Sequence, residues 1–276
     1  MRFREFIQQP LLEGGKALKG ASQISQAEVQ EITPALIKKI AATLKLPTSK
    51  VKLIGSAGKK PNPTDLSGDL DIAVECESKL VEDNLKELAS LGKFKAMSGI
   101  NVFSFAHELK TGYVQVDLMP VQNIKFAEWS YQANPIDLKQ GLKGAQRNEL
   151  FFAVAKHMPQ EVLKKDDEGK PLEIKRYFYD LGNGLMTGTK SRMTKKGKVG
   201  KNFATTDKKV LTNDPVKVTE LMFGKGVTPE QASTFDGTLE AIKNSKFPHK
   251  QKLEDILELA KTGIKNKGLT TPAQFN

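Results

Sequence analysis

Cysteine, tryptophan and histidine are scarce in this chain of 276 residues, with one, one and three copies respectively. A single cysteine, Cys76, excludes an internal disulfide and a multi-cysteine zinc site, and three scattered histidines argue against a histidine metal centre. We therefore expect any bound metal to be a hard cation held by carboxylates. Long apolar runs are also missing: none reaches the length of a membrane span, and the N-terminal stretch lacks the apolar region of a signal peptide. These absences predict a cytoplasmic protein with no membrane partner.

Acidic residues are outnumbered by basic ones, 32 against 43, which gives a formal net charge of +11. More than half of this excess lies between Thr187 and Lys209, where eight basic residues accompany the single acid Asp207. Such a segment favours phosphate contacts with RNA or DNA that do not read base sequence. The candidate nucleic-acid-binding residues are Lys190, Arg192, Lys195, Lys196, Lys198 and Lys201. The alternative is a solvated loop that binds nothing.

Periodicity predicts an α+β protein in two parts. Residues 1–125 combine helical spacing with short alternating strands, among them "VKLIGS", "DLDIAVE", "NVFSFAHEL" and "GYVQVDLMPV". We expect these to form a small mixed, largely antiparallel sheet flanked by helices, after a lead-in segment over 1–24. The patterns of residues 126–276 are mainly helical, so we expect a second, helical domain that holds the basic segment 187–209 as a loop.

Two aspartates stand one residue apart in the apolar strand "DLDIAVE". Side chains two apart on a strand point the same way, so Asp69 and Asp71 share one face. The same alternation in "YVQVDLM" places Asp117 outward, and if the two strands are neighbours the three carboxylates converge. Carboxylates at close range are tolerable in their ionised forms only with a cation between them, and an all-oxygen pocket suits Mg²⁺. A pair of such ions clamps both reacting oxygens in phosphoryl transfer.

A candidate phosphate-binding turn precedes these acids. In "LIGSAGKK" a strand ends at Gly55 and Ser56, where an unhindered backbone and a hydroxyl can approach a triphosphate, with Lys59 and Lys60 close by in sequence. The segment is not a P-loop, because the spacing Gly-x4-Gly-Lys-Ser/Thr is absent.

Together these segments resemble the signature of the polymerase-beta-type nucleotidyltransferase superfamily. The matching features are Ile-Gly-Ser at 54–56, Asp-Leu-Asp-Ile at 69–72 and Val-Asp-Leu at 116–118. The resemblance implies that Asp69 and Asp71 hold two Mg²⁺ ions, that Asp117 binds one of them and helps to activate the acceptor hydroxyl, and that Gly55 and Ser56 hold the triphosphate of an NTP.

A closer resemblance is to nucleotidyltransferase-like proteins of tailed bacteriophages, and it extends over about the first 190 residues. It includes "EGG", "GSAGKK", "SGDLDIAV", "YVQVDLM" and "GLKGAQRNELFFAVAK". Ser67 and Gly68, just before the paired acids, are further candidate nucleotide-binding residues. Many superfamily members have a basic helix between Gly-Ser and the paired acids, whereas Pro61 and Pro63 interrupt that region here. We therefore also assign the triphosphate tail to Lys59, Lys60 and the pair Lys143 and Arg147, which are four residues apart.

The resulting hypothesis is a Mg²⁺-dependent enzyme that moves a nucleoside monophosphate from an NTP to a hydroxyl, with release of pyrophosphate. The charge cluster favours an RNA or DNA 3′ end as acceptor. Transfer to a protein or a small molecule is the first alternative. The second is a non-catalytic nucleic-acid-binding or phage assembly protein with the same fold.

Overall fold

The structure, a computed structural model, describes residues 17–97, 101–193 and 198–275, without the side chains of 201–203. Among these, 17–144 and Ile264–Thr271 form one compact unit, and Ala145–Gly263 with 272–275 form a second. We expected a boundary near residue 125, whereas the first unit continues to Gly144. The "EGG" stretch, Lys195 and Lys196 lie outside the described residues.

A five-stranded sheet forms the centre of the first unit. In chain order the elements are β1 (Ile24–Ser25), α1 (Gln26–Thr43), β2 (Val51–Leu53), β3 (Leu66–Ser67), β4 (Asp69–Glu75), α2 (Ser78–Leu88), β5 (Phe94–Met97), β6 (Val102–Glu108), β7 (Tyr113–Val121), α3 (Ile124–Ser130) and α4 (Pro135–Lys139). The strand order is β2-β4-β7-β6-β5, in which β4 and β7 are parallel and the other neighbours antiparallel. The expected mixed, largely antiparallel sheet is therefore confirmed. The strands β1 and β3 pair separately.

The two faces of this sheet differ in chemistry. Leu70, Ile72 and Val116 belong to a buried apolar cluster with residues of α1 and α2, so these helices cover one face. Alternation places Asp69, Asp71 and Asp117 on the other face. The helix α1 begins with a capping box in which Ser25 and Glu28 satisfy each other's backbone N–H groups.

The second unit contains a sheet that the sequence patterns do not predict. Its elements are α5 (Gly144–His157, which starts at the last residue of the first unit), β8 (Glu161–Lys165), β9 (Pro171–Asp180), β10 (Gly184–Met193), β11 (Val199–Thr212), α6 (Pro215–Phe223), α7 (Phe235–Lys243) and α8 (Leu253–Asn266). The four strands are antiparallel in the order β11-β10-β9-β8. The expectation of a mainly helical part is wrong for 161–212, although α6, α7 and α8 follow.

The expected basic loop is also wrong, because the described residues of 187–209 lie almost entirely in β10 and β11. These strands are rich in threonine, which favours extended structure, and long basic side chains can extend from a strand into water. Register shifts between β10 and β11, with Asp207 at a φ of 52°, break the two-residue alternation. The strand pattern is therefore obscured in the sequence.

None of the described helices has both the length and the apolar character that crossing a membrane requires.

Candidate metal centre

Three aspartates meet where β4 and β7 run side by side. Asp71 lies directly opposite Asp117 in the parallel register, and Asp69 precedes Asp71 on the same face. One carboxylate oxygen from each residue lies within 4.8 Å of those from the other two. Asp117 is buried, whereas Asp69 and Asp71 are half-buried. The convergence anticipated from the strand pattern is thus present.

The electrostatics of the three carboxylates suit a cation. Burial raises the pKa of Asp71 well above its ordinary value, and the charges of Asp69 and Asp117 raise it further. Burial also raises the pKa of Asp117, although Ser104 and Gln115 act in the opposite direction. Each shift means that negative charge is disfavoured here when nothing compensates for it. A divalent cation among the oxygens supplies that compensation, so the residues present fit such an ion.

The turn after β2 packs directly against this centre. Gly55 has a φ of 71°, and a Cβ added to it would lie 2.5 Å from Oδ2 of Asp71. The neighbouring Ile54 N–H donates to the backbone carbonyl of Asp71 at 2.9 Å. Both the conformation and the space therefore require glycine. The Gly55–Ser56 turn therefore lies beside the three aspartates.

The two lysines after the turn differ in their surroundings. Lys59 is half-buried, and its N–H donates to the Ser56 carbonyl at 3.2 Å. The Lys60 ammonium donates to the carbonyl of Leu66, so it links the two ends of the proline-containing loop. In this structure Lys60 thus has a structural contact besides its expected role with phosphate.

Ser67 and Gly68 complete the loop immediately before Asp69. The Ser67 side chain is buried, and its hydroxyl accepts a hydrogen bond from Nε2 of Gln26 at 3.1 Å. Gln26 Nε2 also donates to the carbonyl of Asp65 at 3.1 Å. This glutamine, at the start of α1, therefore anchors the loop that leads into the acidic strand.

Gln115 lies two residues before Asp117 on β7, so strand alternation places it on the same face, although the sequence assigns it no role. It is buried, and its Nε2 donates to both carboxylate oxygens of Asp117, at 2.9 and 3.0 Å. Its Oε1 accepts from the backbone N–H of Leu18 at 2.9 Å, which orients the amide. The available signal was a polar residue two positions before Asp117 in an otherwise apolar strand.

On the other side of Asp117, the neighbouring strand β6 presents Ser104. The two residues are directly opposite each other in the antiparallel register. The Ser104 hydroxyl is near enough to lower the pKa of Asp117 but is not aligned for a full hydrogen bond with any described group.

Lys143 and Arg147 lie in different surroundings. Lys143 is exposed, immediately before α5. Arg147 is fully buried in the second unit, where its guanidinium donates to the carbonyl of Ser233 at 3.1 Å and to Oδ1 of Asn148 at 3.2 Å. These contacts occupy the guanidinium that we assigned to a triphosphate.

The basic residues that fall in the described strands form a cluster in the second unit. Lys190 on β10 lies diagonally across from Arg176 on β9, since Gly188 pairs with Arg176. The Arg176 guanidinium lies 4.4 Å from the centre of the Phe178 ring. Burial lowers the pKa of Lys190, and the nearby positive charges of Arg176, Lys156 and Arg192 lower it further. Lys198 lies just before β11, and the side chain of Lys201 is outside the described residues.

The chain matches no protein-family model and no curated protein. Of the residues singled out from the sequence, the geometry of the site brings together Asp69, Asp71, Asp117 and the turn at Gly55 and Ser56.

Proposed function

We propose that the protein is a Mg²⁺-dependent nucleotidyltransferase, which moves a nucleoside monophosphate from an NTP to a hydroxyl acceptor and releases pyrophosphate. The observation that carries the proposal is the convergence of three carboxylates beside a glycine turn that no larger residue can replace. The resemblance of the motifs at 54–56, 69–72 and 116–118 to the polymerase-beta-type superfamily supports it.

Asp69, Asp71 and Asp117 would hold the divalent cations. Bound there, Mg²⁺ ions would neutralise charge on the phosphates and on the attacking and leaving oxygens. The turn would contribute backbone N–H groups and the Ser56 hydroxyl as donors to the triphosphate. Asp117, held in place by Gln115, would favour loss of the acceptor hydroxyl's proton. A new bond then forms between the acceptor oxygen and the α-phosphorus, while the bond from that phosphorus to pyrophosphate breaks.

A nucleic-acid 3′ end is the acceptor class that the charge distribution supports best. The formal net charge is +11, and cationic side chains cluster on β9 and β10. Protein hydroxyls and small molecules are the competing acceptors.

The test is transfer of label from each α-labelled NTP in the presence of Mg²⁺ and short RNA or DNA. We expect label on the oligonucleotide with the wild-type protein and its loss in Asp71→Asn. Asp83→Asn is the matched control, because Asp83 lies on α2 in an exposed ion pair with Lys79. Label on protein or on a small molecule would replace the proposed acceptor. Transfer that is undiminished in Asp71→Asn, or absent with every acceptor, would overturn the enzymatic proposal.

A second candidate function is nucleic-acid binding without catalysis. The specific observation in its favour is the cationic cluster of Arg176, Lys190 and Arg192, which lies in the second unit and does not involve the aspartates. It predicts binding that survives Asp71→Asn.

A further inference from the structure

The face of the five-stranded sheet that carries the aspartates also carries lysines. Directly opposed residues on neighbouring strands point to the same side, so each line of paired residues across β4, β7, β6 and β5 shares a face. The first line is Asp71, Asp117, Ser104 and Lys95. The second is Asp69, Gln115, Ala106 and Lys93, the last joined by a hydrogen bond from the Ala106 N–H to the Lys93 carbonyl. Both lines begin with an acid and end with a cation.

Beside the two lysines is a shallow, open cleft of about 340 Å³. It is lined by Ala17, Leu18, Lys19, Gly92, Lys93, Phe94, Lys95 and Tyr113. The Lys93 ammonium lies 4.1 Å from the centre of the Tyr113 ring, and the Tyr113 hydroxyl donates to the Lys19 carbonyl at 2.5 Å. Lys19, Lys93 and Lys95 are exposed. Phe94 pairs with Phe105 of the apolar cluster, so its side chain faces the other side of the sheet. The cleft thus gathers three cations.

The cleft is connected to the metal centre through Gln115. Leu18, which lines the cleft, donates its N–H to Gln115, and Gln115 donates to Asp117. Lys95 and Asp117 are separated by two strand spacings, about 10 Å between their Cα atoms. A chain of phosphates whose end lies at Asp117 would therefore have its next linkages within reach of the lysine side chains.

The cleft and the Gly55–Ser56 turn lie on opposite sides of the aspartates. The turn follows β2, at the edge beyond β4, whereas Lys93 and Lys95 belong to the opposite edge, beyond β7 and β6. An in-line displacement has its attacking and leaving groups on opposite sides of the phosphorus. If pyrophosphate leaves on the side of the turn, the acceptor approaches on the side of the lysines.

We propose that this cleft binds the phosphodiester backbone of a nucleic-acid acceptor just upstream of its 3′ hydroxyl. The inference rests on the proposed function, since it takes the aspartates as the reaction centre. Lys93 and Lys95 contact phosphates. Binding is independent of base sequence, because ammonium groups contact only the backbone.

The test measures binding directly, without NTP, from the fluorescence anisotropy of labelled short single-stranded RNA and DNA. We expect the double variant Lys93→Gln/Lys95→Gln to bind about tenfold more weakly than wild type. The slope of log affinity against log salt should become shallower by about 0.7 for each lost contact with a single strand. Lys38→Gln/Lys86→Gln is the matched control: both lysines are exposed, and they lie on α1 and α2, on the opposite face. Strand β10 is unaltered in wild type, the double variant and the control, so its basic residues contribute equally to binding in all three.

Neutral methylphosphonate linkages locate the contact along the oligonucleotide. Placed next to the 3′ end, they should weaken binding to wild type and to the control, but have little further effect on the double variant. Linkages near the 5′ end should weaken binding equally in all three proteins. Equal affinities and salt slopes in the double variant and the control, or no binding by wild type, would overturn this proposal.

The cleft assignment and the proposed enzymatic function can fail independently of each other. If the aspartate-dependent transfer occurs while Lys93→Gln/Lys95→Gln binds and reacts like the control, only the cleft assignment fails. If binding depends on the two lysines but no transfer occurs with any acceptor, the enzymatic proposal fails and the cleft stands as a nucleic-acid-binding site.

Discussion

Asp71 lies between two other carboxylates, Asp69 on its own strand and Asp117 on the next. Two unit charges about 4 Å apart repel by about 1 kcal/mol in water and about 4 kcal/mol at an effective dielectric constant of 20. This repulsion destabilises the folded protein when the carboxylates ionise, whereas it does not destabilise the unfolded chain. The raised pKa of Asp71 expresses the same imbalance.

We expect the stability of the cation-free protein to depend on pH in a defined direction. A carboxyl whose pKa is raised by folding favours the folded state at low pH, and this contribution is lost as pH rises from about 4 through the folded-state value. Asp71→Asn has no carboxyl at this position and so does not lose this stability as pH rises. At pH 7 in EDTA its melting temperature should therefore exceed that of wild type by about 2–4 °C for each kcal/mol of repulsion removed. Excess Mg²⁺ should raise the melting temperature of wild type but not of the variant. Circular dichroism melts in EDTA and in Mg²⁺ across pH 4–8 provide the measurement.

Asp83→Asn is the control for this experiment, because it removes a carboxylate from an exposed helix position. Its pH profile and its response to Mg²⁺ should match those of wild type. Identical pH profiles for wild type and Asp71→Asn would contradict the electrostatic account.

At the residue scale, the sequence predicts the three aspartates but not the residues that hold them in place. The two-residue period of a strand is local information, so it was enough to align Asp69 with Asp71 and to turn Asp117 outward. Gln115 acquires its role from the N–H of Leu18, which is 97 positions away in the sequence. Likewise, "GS" predicts a turn, but the approach of Gly55 to Asp71 depends on the pairing of β2 with β4.

At the element scale, β10 and β11 place basic side chains on a paired framework instead of a loop. Antiparallel pairing fixes the positions of Lys190 and Arg176 relative to each other, whereas in a disordered segment they would have to be ordered on binding. A fixed cationic surface therefore loses less conformational entropy when it binds a polyanion. Short helical patterns on both sides and an irregular register hid these strands from sequence periodicity.

We expect Lys190→Gln/Arg192→Gln to weaken the binding of nucleic acid about tenfold and to make its salt dependence shallower. Stabilisation by Mg²⁺ should be unchanged, because the aspartates lie in the other unit. Lys164→Gln/Lys165→Gln is the control, since both lysines are exposed on β8, at the opposite edge of the same sheet. Filter binding over a range of salt concentrations provides the measurement. Equal losses in the two double variants would mean that β10 has no special role and that only net charge matters.

At the scale of the whole molecule, the chain divides its chemistry between two compact units. The described aspartate centre and the lysine cleft belong to the first, and the cationic strands to the second. Composition alone could not place the division, because Ile264–Thr271 joins the first unit after more than a hundred residues of the second. The formal net charge of +11 is therefore informative only when its location is known.

The proposed function depends on the binding of divalent cations by the three aspartates of one sheet face. The most direct test is titration of the 276-residue chain with Mn²⁺, with the free ion followed by electron paramagnetic resonance. Wild type and the surface variant Glu82→Gln/Asp83→Asn are expected to bind Mn²⁺ alike, and excess Mg²⁺ should displace it. Asp69→Asn/Asp71→Asn should lose this binding while it keeps the wild-type circular dichroism spectrum. Undiminished Mn²⁺ binding by Asp69→Asn/Asp71→Asn, or no binding by wild type, would contradict a cation centre at these aspartates.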